Sequence, residues 1–331
     1  MSKFLIAGAG GFIGGHLAKQ LLDEGHEVVC ADAKPKHLWF QIFDHCNNFH
    51  LDLKEYENCL KVTAEVDFVY NMACNMGGMG FIENNKAECM LSVLINTNLL
   101  RSCLVNNVNR YFFSSSACVY NGLKQANTFV DGLKETDAYP AQPEDGYGWE
   151  KLFSERMCRH FSEDFGLETR VARYHNVYGP LGTYDGGREK APAALCRKII
   201  LAKLNKEKKI DVWGDGEQTR SFMFVDDCLE GTTKLFKSKV SEALNIGSEE
   251  QVSINQLIDL IQDIAEYKVE KNYQLDKPKG VRGRSSNNEL IRNKIGWDAS
   301  TSLKSGLEQT YKWIYSEITS GSNDNKFSTN Y

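Results

Sequence analysis

The sequence has no long apolar run. No stretch approaches the roughly 20 consecutive apolar residues that a helix needs to cross a bilayer. The apolar start, MSKFLIAGAGGFIGG, is short and broken by glycines, so we interpret it as a strand and a turn rather than as a signal peptide. A protein that spans or is anchored in a membrane is therefore not expected.

The sequence also has no excess of positive charge and no paired cysteine motif. Its 39 lysines and arginines are outnumbered by 44 aspartates and glutamates, and no basic run stands out, which argues against a nucleic-acid partner. The 10 cysteines are scattered without a CxxC pair, so neither a zinc site nor a disulfide framework is indicated. We expect a cytoplasmic protein with reduced thiols and without a metal site.

What the sequence does have is an alternation of strand and helix patterns. The apolar runs KFLIAG, EVVCAD, NFHLDL, DFVYNM and RYFFSSS are separated by helix-like segments. This order predicts an α/β fold with a doubly wound, Rossmann-like parallel sheet, whose ligands bind at the carboxyl ends of the strands. We predict this domain over residues 1–175, a smaller α/β substrate lobe with some chain crossing back to the sheet over 176–318, and a frayed polar tail over 319–331.

A glycine-rich turn follows the first predicted strand. The segment GAGGFIG spaces its glycines by three residues and opens a predicted helix. Glycines at such a turn let the backbone approach a pyrophosphate, which then lies at the helix N-terminus. The turn therefore predicts a dinucleotide site, with a flavin or an empty turn as the alternatives. The predicted contacts are Gly8, Gly11, Phe12, Ile13 and Gly14.

A carboxylate ends the second predicted strand. Asp32 is placed to accept hydrogen bonds from the adenosine ribose hydroxyls and to repel a 2′-phosphate, which favours NAD over NADP. Lys34 and Lys36 follow it closely and weaken this preference. Asp52 and Leu53, in the segment HLDL, are predicted to lie beside the adenine.

A tyrosine and a lysine follow in the segment YGWEK. Tyr147 and Lys151 are four residues apart and so share one helical face. A phenol, with a pKa of about 10, becomes a better base when an ammonium group lies nearby. Together with the glycine turn and Ser116 on an earlier strand, the pattern resembles the extended short-chain dehydrogenase/reductase superfamily. The resemblance implies that Ser116, Tyr147 and Lys151 catalyse hydride movement between a sugar carbon and NAD, and that Tyr147 and Lys151 also contact the cofactor.

Further segments are similar to the GDP-mannose 3,5-epimerase family. They are NMGGMGFIENN, SSACVY, HNVYGPLGTYDGGREKAPAALCRK, WGDGEQTRSF and GVRGR, and the similarity extends to about Trp313. The resemblance implies conversion of GDP-mannose to GDP-L-galactose and GDP-L-gulose through a transient 4-keto sugar, with NAD recycled. It also implies that Cys118 and Lys190 are the acid/base pair. The chain departs from the family pattern at Cys74, Asn75 and Asn287.

The same resemblance implies a nucleotide-sugar partner and a set of residues that bind it. Arg284 is expected to contact the diphosphate, with Arg282 as the alternative. Extended members of the superfamily commonly form homodimers through the helix that carries the tyrosine, so a homodimer is expected. The implied substrate-binding residues are Gly78, Ser116, Ala117, Cys118, Tyr147, Asn176, Glu189, Lys190, Ala191, Lys198, Gln218, Thr219, Arg220 and Arg284.

Two alternatives stay open. The first is another NAD-dependent enzyme acting on nucleotide sugars: a 4-epimerase, a 4,6-dehydratase or a decarboxylase. Dehydratases typically have an acidic pair after the catalytic serine or threonine, where this chain has Ala117 and Cys118, and a 4-epimerase has no use for Cys118 together with Lys190. The second is a non-catalytic NAD-binding scaffold. Such proteins tend to lose the tyrosine or the lysine, and both are present here.

Overall fold

The structure, a computed structural model, describes residues 1–277, 280–320 and 325–328. In its first half, strands alternate with helices, as the apolar runs predict. The elements are β1 (Lys3–Ala7), α1 (Phe12–Asp23), β2 (Glu27–Asp32), β3 (Asn47–His50), α2 (Tyr56–Thr63), β4 (Phe68–Asn71), α3 (Met79–Asn84), α4 (Lys86–Met90), α5 (Ser92–Val105), β5 (Arg110–Ser116), α6 (Tyr147–Phe165) and β6 (Glu168–Tyr174).

The second half contains shorter strands and four longer helices. Its elements are β7 (Val177–Tyr178), α7 (Ala191–Asn205), β8 (Lys209–Trp213), β9 (Thr219–Ser221), β10 (Met223–Phe224), α8 (Val225–Lys237), β11 (Leu244–Ile246), β12 (Gln251–Ser253), α9 (Ile254–Ala265), β13 (Glu270–Gln274), β14 (Gly283–Arg284), α10 (Glu289–Ile295) and α11 (Leu303–Thr319). Within the described part of the chain, none of the helices combines the length and the apolar character needed to cross a membrane.

Seven strands form one parallel sheet in the order β11–β6–β5–β4–β1–β2–β3. The order reverses at β1, so the loops after β1 and β4 diverge and leave a crevice at their carboxyl ends. This arrangement confirms the predicted α/β, Rossmann-like fold. The outermost strand, β11, comes from the second half of the chain and pairs with β6 over residues 244–246 and 172–174.

Apolar side chains fill both faces of the sheet. In β1, Phe4 and Ile6 belong to one buried cluster, whereas Leu5 and Ala7 belong to the other, because successive side chains of a strand point to opposite faces. The first cluster continues into the second half of the chain, where it includes Leu257 of α9. One core thus joins the sheet to the smaller lobe and fixes the lobe above the strand ends.

Two helices begin at the crevice. Before α6, Gly146 has φ +73°, and a Cβ there would come within 2.9 Å of the Lys86 Cβ, so glycine permits this turn. Before α7, Lys190 is the N-cap residue and Pro192 lies in the first helical turn, a position where proline loses no hydrogen bond. The first residue of α6 and the residue before α7 are both predicted catalytic residues, Tyr147 and Lys190.

The tail predicted to fray lies only partly within the described residues, because 321–324 and 329–331 are outside them. Residues Asn325–Phe327 form a single 3₁₀ turn. The Phe327 ring is 2% exposed and lies 5.1 Å from the Phe40 ring and 5.0 Å from the Trp313 ring, centroid to centroid. At Phe327 the structure therefore shows packing instead of the expected fraying, because an aromatic ring there finds an apolar surface to cover.

Candidate active site

A cavity of about 1050 Å³ lies at the carboxyl ends of β1, β4 and β5 and below the smaller lobe. All of the predicted site residues line it except Lys151 and Thr219. The Lys151 side chain is 1% exposed and lies in the interior beside Tyr147. Thr219 is buried within β9, and its hydroxyl donates a hydrogen bond to the Thr128 carbonyl oxygen. The structure thus gathers residues from distant parts of the sequence into one space.

The glycine turn forms a close backbone crossing at one end of the cavity. Gly8 has φ +87°, and a Cβ there would lie 2.8 Å from the Ala73 nitrogen. A Cβ on Gly14 would collide with the Gly8 carbonyl oxygen. The N-cap residue of α1, Gly11, provides no side-chain cap, which leaves the main-chain N–H groups of the first turn for a ligand. This geometry suits a pyrophosphate.

Asp32 and Lys34 lie beside the turn. The Asp32 carboxylate accepts hydrogen bonds from the main-chain N–H groups of Gly10 at 2.9 Å and Lys34 at 2.8 Å. Burial raises the pKa of Asp32, although these hydrogen bonds and Lys34 oppose the change. The Lys34 ammonium donates to the Gly10 carbonyl oxygen at 3.0 Å and lies 3.7 Å from the Phe40 ring centroid. Lys34 is thus engaged within the protein, and Asp32 lies beside the glycine turn, where its predicted contact with a ribose requires it to be.

The buried end of the cofactor site has an ammonium group without an acceptor. The Lys151 Nζ atom makes no hydrogen bond among the described residues, and the nearest carboxylate oxygen, Glu150 Oε2, is 3.5 Å away. Burial lowers the pKa of Lys151, but Cys74 and Glu150 outweigh it and the pKa is raised. A buried charge is costly unless it is hydrogen-bonded, and the hydroxyl groups of a nicotinamide ribose would be acceptors for this ammonium group. The residues present therefore fit a dinucleotide at both of its ends.

The predicted catalytic trio is assembled where β5 ends and α6 begins. Ser116 is the last residue of β5, and Tyr147 is the first residue of α6. The Lys151 Nζ atom is 5.6 Å from the Tyr147 ring centroid. Burial raises the pKa of Tyr147, and the neighbouring Ser116 hydroxyl acts in the opposite direction. The spacing of four residues places both side chains on one face of α6, as the sequence predicts.

The thiol of Cys118 lies next to this trio. A 3₁₀ turn over Ala117–Val119 follows β5, and the Cys118 N–H donates to Ser116 Oγ at 3.2 Å. Burial and, after it, Glu144 raise the pKa of Cys118 to about 11, although Arg284 and Lys190 act in the opposite direction. Burial lowers the pKa of Lys190, while Cys118 and Glu144 raise it. The predicted acid/base pair thus shares one cavity and one electrostatic environment.

Two loops approach each other closely where Lys190 is held. The Gly78 N–H donates to the Arg188 carbonyl oxygen at 3.1 Å, and a Cβ on Gly78 would lie 2.6 Å from the Glu189 carbonyl oxygen. The Arg188 guanidinium donates to Asn75 Oδ1 at 2.9 Å and covers the Phe81 ring at 3.8 Å. The Lys190 ammonium donates to the Gly77 carbonyl oxygen at 3.4 Å. Asn75, a departure from the family pattern, thus anchors the loop that carries Lys190.

The smaller lobe supplies the wall of the cavity farthest from the sheet. The Lys198 ammonium, on α7, donates to the Asp211 carbonyl oxygen at 2.7 Å. The Gln218 side chain donates to the Trp213 carbonyl oxygen at 3.1 Å. Asn176 donates to the Ser221 carbonyl oxygen at 3.1 Å. These polar groups lie on the lobe that the sequence assigns to the substrate.

Comparison with known proteins gives the family. A model described as the NAD dependent epimerase/dehydratase family matches residues 4–247. The GDP-mannose 3,5-epimerase of Arabidopsis thaliana is 48% identical over 319 residues, which are 96% of this chain and 83% of the relative. GDP-mannose 3,5-epimerase 1 of Oryza sativa subsp. indica is also 48% identical, over 96% of this chain and 82% of the relative. The chain belongs to the GDP-mannose 3,5-epimerase branch of this family.

Solved structures agree with the family's fold and cofactor. UDP-glucose 4-epimerase from Thermotoga maritima superposes with a TM-score of 0.87 at 23% identity, covering 96% of this chain and 99% of that one. UDP-glucuronic acid 4-epimerase from Bacillus cereus, in complex with UDP-glucuronic acid and NAD, has a TM-score of 0.79 at 25% identity, covering 94% and 98%. As a member of an NAD-dependent family whose dinucleotide cradle is intact, the protein uses NAD as its cofactor.

The structure adds two residues, Gln125 and Glu144, that neither the motifs nor the family resemblance indicated. The Arg284 guanidinium donates to Gln125 Oε1 at 2.6 Å, to Glu144 Oε1 at 2.7 Å and to Cys118 Sγ at 3.5 Å. Its predicted contact with the diphosphate stays a prediction, and the structure places this guanidinium against the thiol. Arg282, the alternative, pairs with Asp215 at 2.8 Å. Gln125 and Glu144 lie in loops without a recognisable motif, so the sequence offered no signal for them.

Proposed function

We propose that the protein epimerises GDP-mannose at C3 and C5, giving GDP-L-galactose and the 5-epimer GDP-L-gulose with no net oxidation. The observation that carries the proposal is the meeting of two chemical sets in one cavity. Ser116 and Tyr147, with Lys151 buried behind the tyrosine, are the set for oxidation at a carbinol carbon, and Cys118 with Lys190 is an acid/base set beside it. The 48% identity to curated GDP-mannose 3,5-epimerases supports the choice of substrate.

The oxidising set prepares the sugar. When bound, NAD supplies the hydride acceptor for C4, and the hydride returns to C4 at the end of the cycle. Tyr147 accepts the proton of the C4 hydroxyl, and Ser116, which lines the cavity with it, holds that hydroxyl by a hydrogen bond. The Lys151 ammonium, 5.6 Å from the phenol ring centroid, favours the phenolate. A ketone at C4 then makes the hydrogens on both C3 and C5 acidic.

The acid/base set inverts the activated carbons. Cys118 removes a proton from one face of the sugar ring, and Lys190 delivers a proton to the opposite face. The two groups influence each other's pKa across the cavity, because the Lys190 charge lowers the pKa of Cys118 and the Cys118 charge raises that of Lys190. Since C3 and C5 are both adjacent to the ketone, one pair serves both inversions after the ring changes its conformation.

Turnover of GDP-mannose in deuterated water tests this proposal. Without added NAD, NMR should show two new hexoses, with deuterium at C3 and C5 and none at C4, because the C4 hydrogen travels as a hydride inside the closed site. UDP-glucose and UDP-glucuronic acid, incubated in parallel, should stay unchanged. Inversion at C4 alone, loss of water from the sugar, or the absence of any product with GDP-mannose would overturn the proposal.

A homodimer is also part of the proposal. Apolar side chains are exposed on neighbouring segments of the surface: Met90, Leu91 and Leu94 at the start of the α4–α5 region are 42–47% exposed, and Trp149 and Phe153 of α6 are 44% and 54% exposed. A second copy packing on α5 and α6 would cover them. Leu99, also on α5, is 0% exposed and belongs to the core instead of this surface.

The cytoplasmic location completes the proposal. It is supported by the thiols, because all ten cysteines are unpaired. Fractionation of the source cells, followed by immunodetection, would place the protein with a soluble cytoplasmic marker, and recovery with a secretory marker would overturn this part.

A further inference from the structure

A buried carboxylate closes a triangle with the thiol and the guanidinium. The Glu144 side chain is 14% exposed, and its Oε1 atom accepts from Arg284 Nη2 at 2.7 Å. Glu144 also raises the pKa of Cys118, while Nη1 of the same guanidinium approaches Cys118 Sγ at 3.5 Å. The main chain holds the same two residues together, since the Glu144 N–H donates to the Cys118 carbonyl oxygen at 3.0 Å.

This triangle leaves one acceptor position unused. The second carboxylate oxygen, Glu144 Oε2, is buried and has no hydrogen-bond partner among the described residues. The ion pair with Arg284 uses only one of the two carboxylate oxygens, so the second, buried and unbonded, needs an explanation. Glu144 is not among the residues that line the cavity, whereas Cys118 and Arg284 are, so we assign its effect on the reaction to these two residues.

We propose that Glu144 is a positioning residue that orients the Cys118 thiol and strengthens Cys118 as the base of the epimerisation. The inference rests on the proposed function. In the reaction step, the thiolate takes a proton from the sugar carbon: the C–H bond breaks, its electron pair stays on the sugar as the enolate of the 4-keto group, and an S–H bond forms. The new S–H donates to the Glu144 carboxylate, which stabilises the protonated form that the step produces.

Several other charged or titratable groups surround the thiol. Arg284 on β14 and Lys190 before α7 lower the pKa of Cys118, whereas burial and Glu144 raise it. Tyr147 and Arg220 also interact electrostatically with Cys118. Among these groups, Glu144 carries a negative charge that raises the pKa of the thiol and is bonded to the arginine beside it. Its removal should therefore make the thiolate easier to form and, by the Brønsted relation, a weaker base.

Alkylation of Cys118 as a function of pH tests the proposal without depending on activity. The NAD-loaded protein is treated with iodoacetamide at a series of pH values, and modification of the Cys118 peptide is measured by mass spectrometry. Glu144→Gln keeps the size of the side chain and removes the charge. In this variant, the midpoint, which is the pH at which alkylation of Cys118 reaches half of its maximal rate, should fall by about one unit. Glu163→Gln is the matched control, because Glu163 also pairs with an arginine, Arg159 at 2.6 Å, but on the exposed side of α6. Its midpoint should equal that of the native protein.

Deuterium exchange gives the catalytic readout. For Glu144→Gln, exchange into the sugar should begin at a lower pH than in the native protein and reach a lower plateau rate. A midpoint of Cys118 alkylation unchanged by Glu144→Gln would overturn the proposal. If the glutamine variant does not fold, Glu144→Asp decides: a midpoint below the native one supports the proposal, and an unchanged one overturns it. A shifted midpoint in a protein that exchanges no sugar proton would overturn the proposed function while supporting the contact between Glu144 and the thiol.

Discussion

At the scale of single residues, Ser116 and Cys118 are two positions apart and serve different parts of the proposed reaction. Ser116 still belongs to β5 and lowers the pKa of the Tyr147 phenol, whereas Cys118 lies in the following 3₁₀ turn. The turn is fixed by the hydrogen bond from the Cys118 N–H to Ser116 Oγ at 3.2 Å. The hydroxyl that assists oxidation thus also positions the residue that carries the thiol.

Cys118→Ala separates the two parts of the reaction. We expect it to abolish deuterium exchange at C3 and C5, measured by NMR, while the protein retains NAD. Truncation of one packed thiol costs about 1–2 kcal/mol of the free energy of unfolding, well below a typical domain's 5–15 kcal/mol, so the fold should persist. Cys196→Ala is the matched control, since Cys196 is also buried but does not line the cavity. Normal exchange in Cys118→Ala would reduce Cys118 to a packing role.

At the scale of secondary-structure elements, the turn between β1 and α1 depends on close contact of backbone with backbone. Gly14→Ala places a methyl group against the Gly8 carbonyl oxygen, whereas Gly11→Ala brings one only to 3.2 Å of the same atom. We expect Gly14→Ala to lose most of its bound NAD and to be destabilised by roughly 1–3 kcal/mol. Gly11→Ala should lose less NAD and less stability than Gly14→Ala. NAD released on denaturation and thermal unfolding measure both effects, and equal NAD retention in the two variants would contradict this account.

The elements also show how far the sequence determines the fold and the site. Strands β1, β2, β4 and β5 were predictable because central parallel strands are buried on both faces and appear as continuous apolar runs. β11 was not, because three residues, Leu244–Ile246, are too few to show a period. The placement of Tyr147 beside Lys151 follows from their spacing within one helix, whereas Ser116 was added to them by the family resemblance. The bonds of Arg284 to Gln125 and Glu144 were not predictable, because they form only when three distant segments meet.

At the scale of the whole molecule, the exposed apolar side chains near α5 and α6 predict association. Light scattering of the native protein should give the mass of a dimer at micromolar concentration. The double variant Leu94→Glu, Phe153→Glu should be monomeric, because two carboxylates on each copy cannot be buried at low cost. Phe129→Glu is the control, since Phe129 is 84% exposed on a loop outside this surface and should stay dimeric. A monomeric native protein would contradict the proposed dimer.

The return of β11 to the sheet limits where the protein can be cut in two. Residues 244–246 are hydrogen-bonded to β6, and α8 contributes Cys228 and Leu235 to the core on one face of the sheet. A fragment that ends at residue 175 would leave β6 as an unpaired edge above an uncovered apolar face, and such edges recruit other chains. Engineered versions that carry the two halves on separate polypeptides, such as complementation reporters, should therefore keep everything through Ile246 with the N-terminal piece.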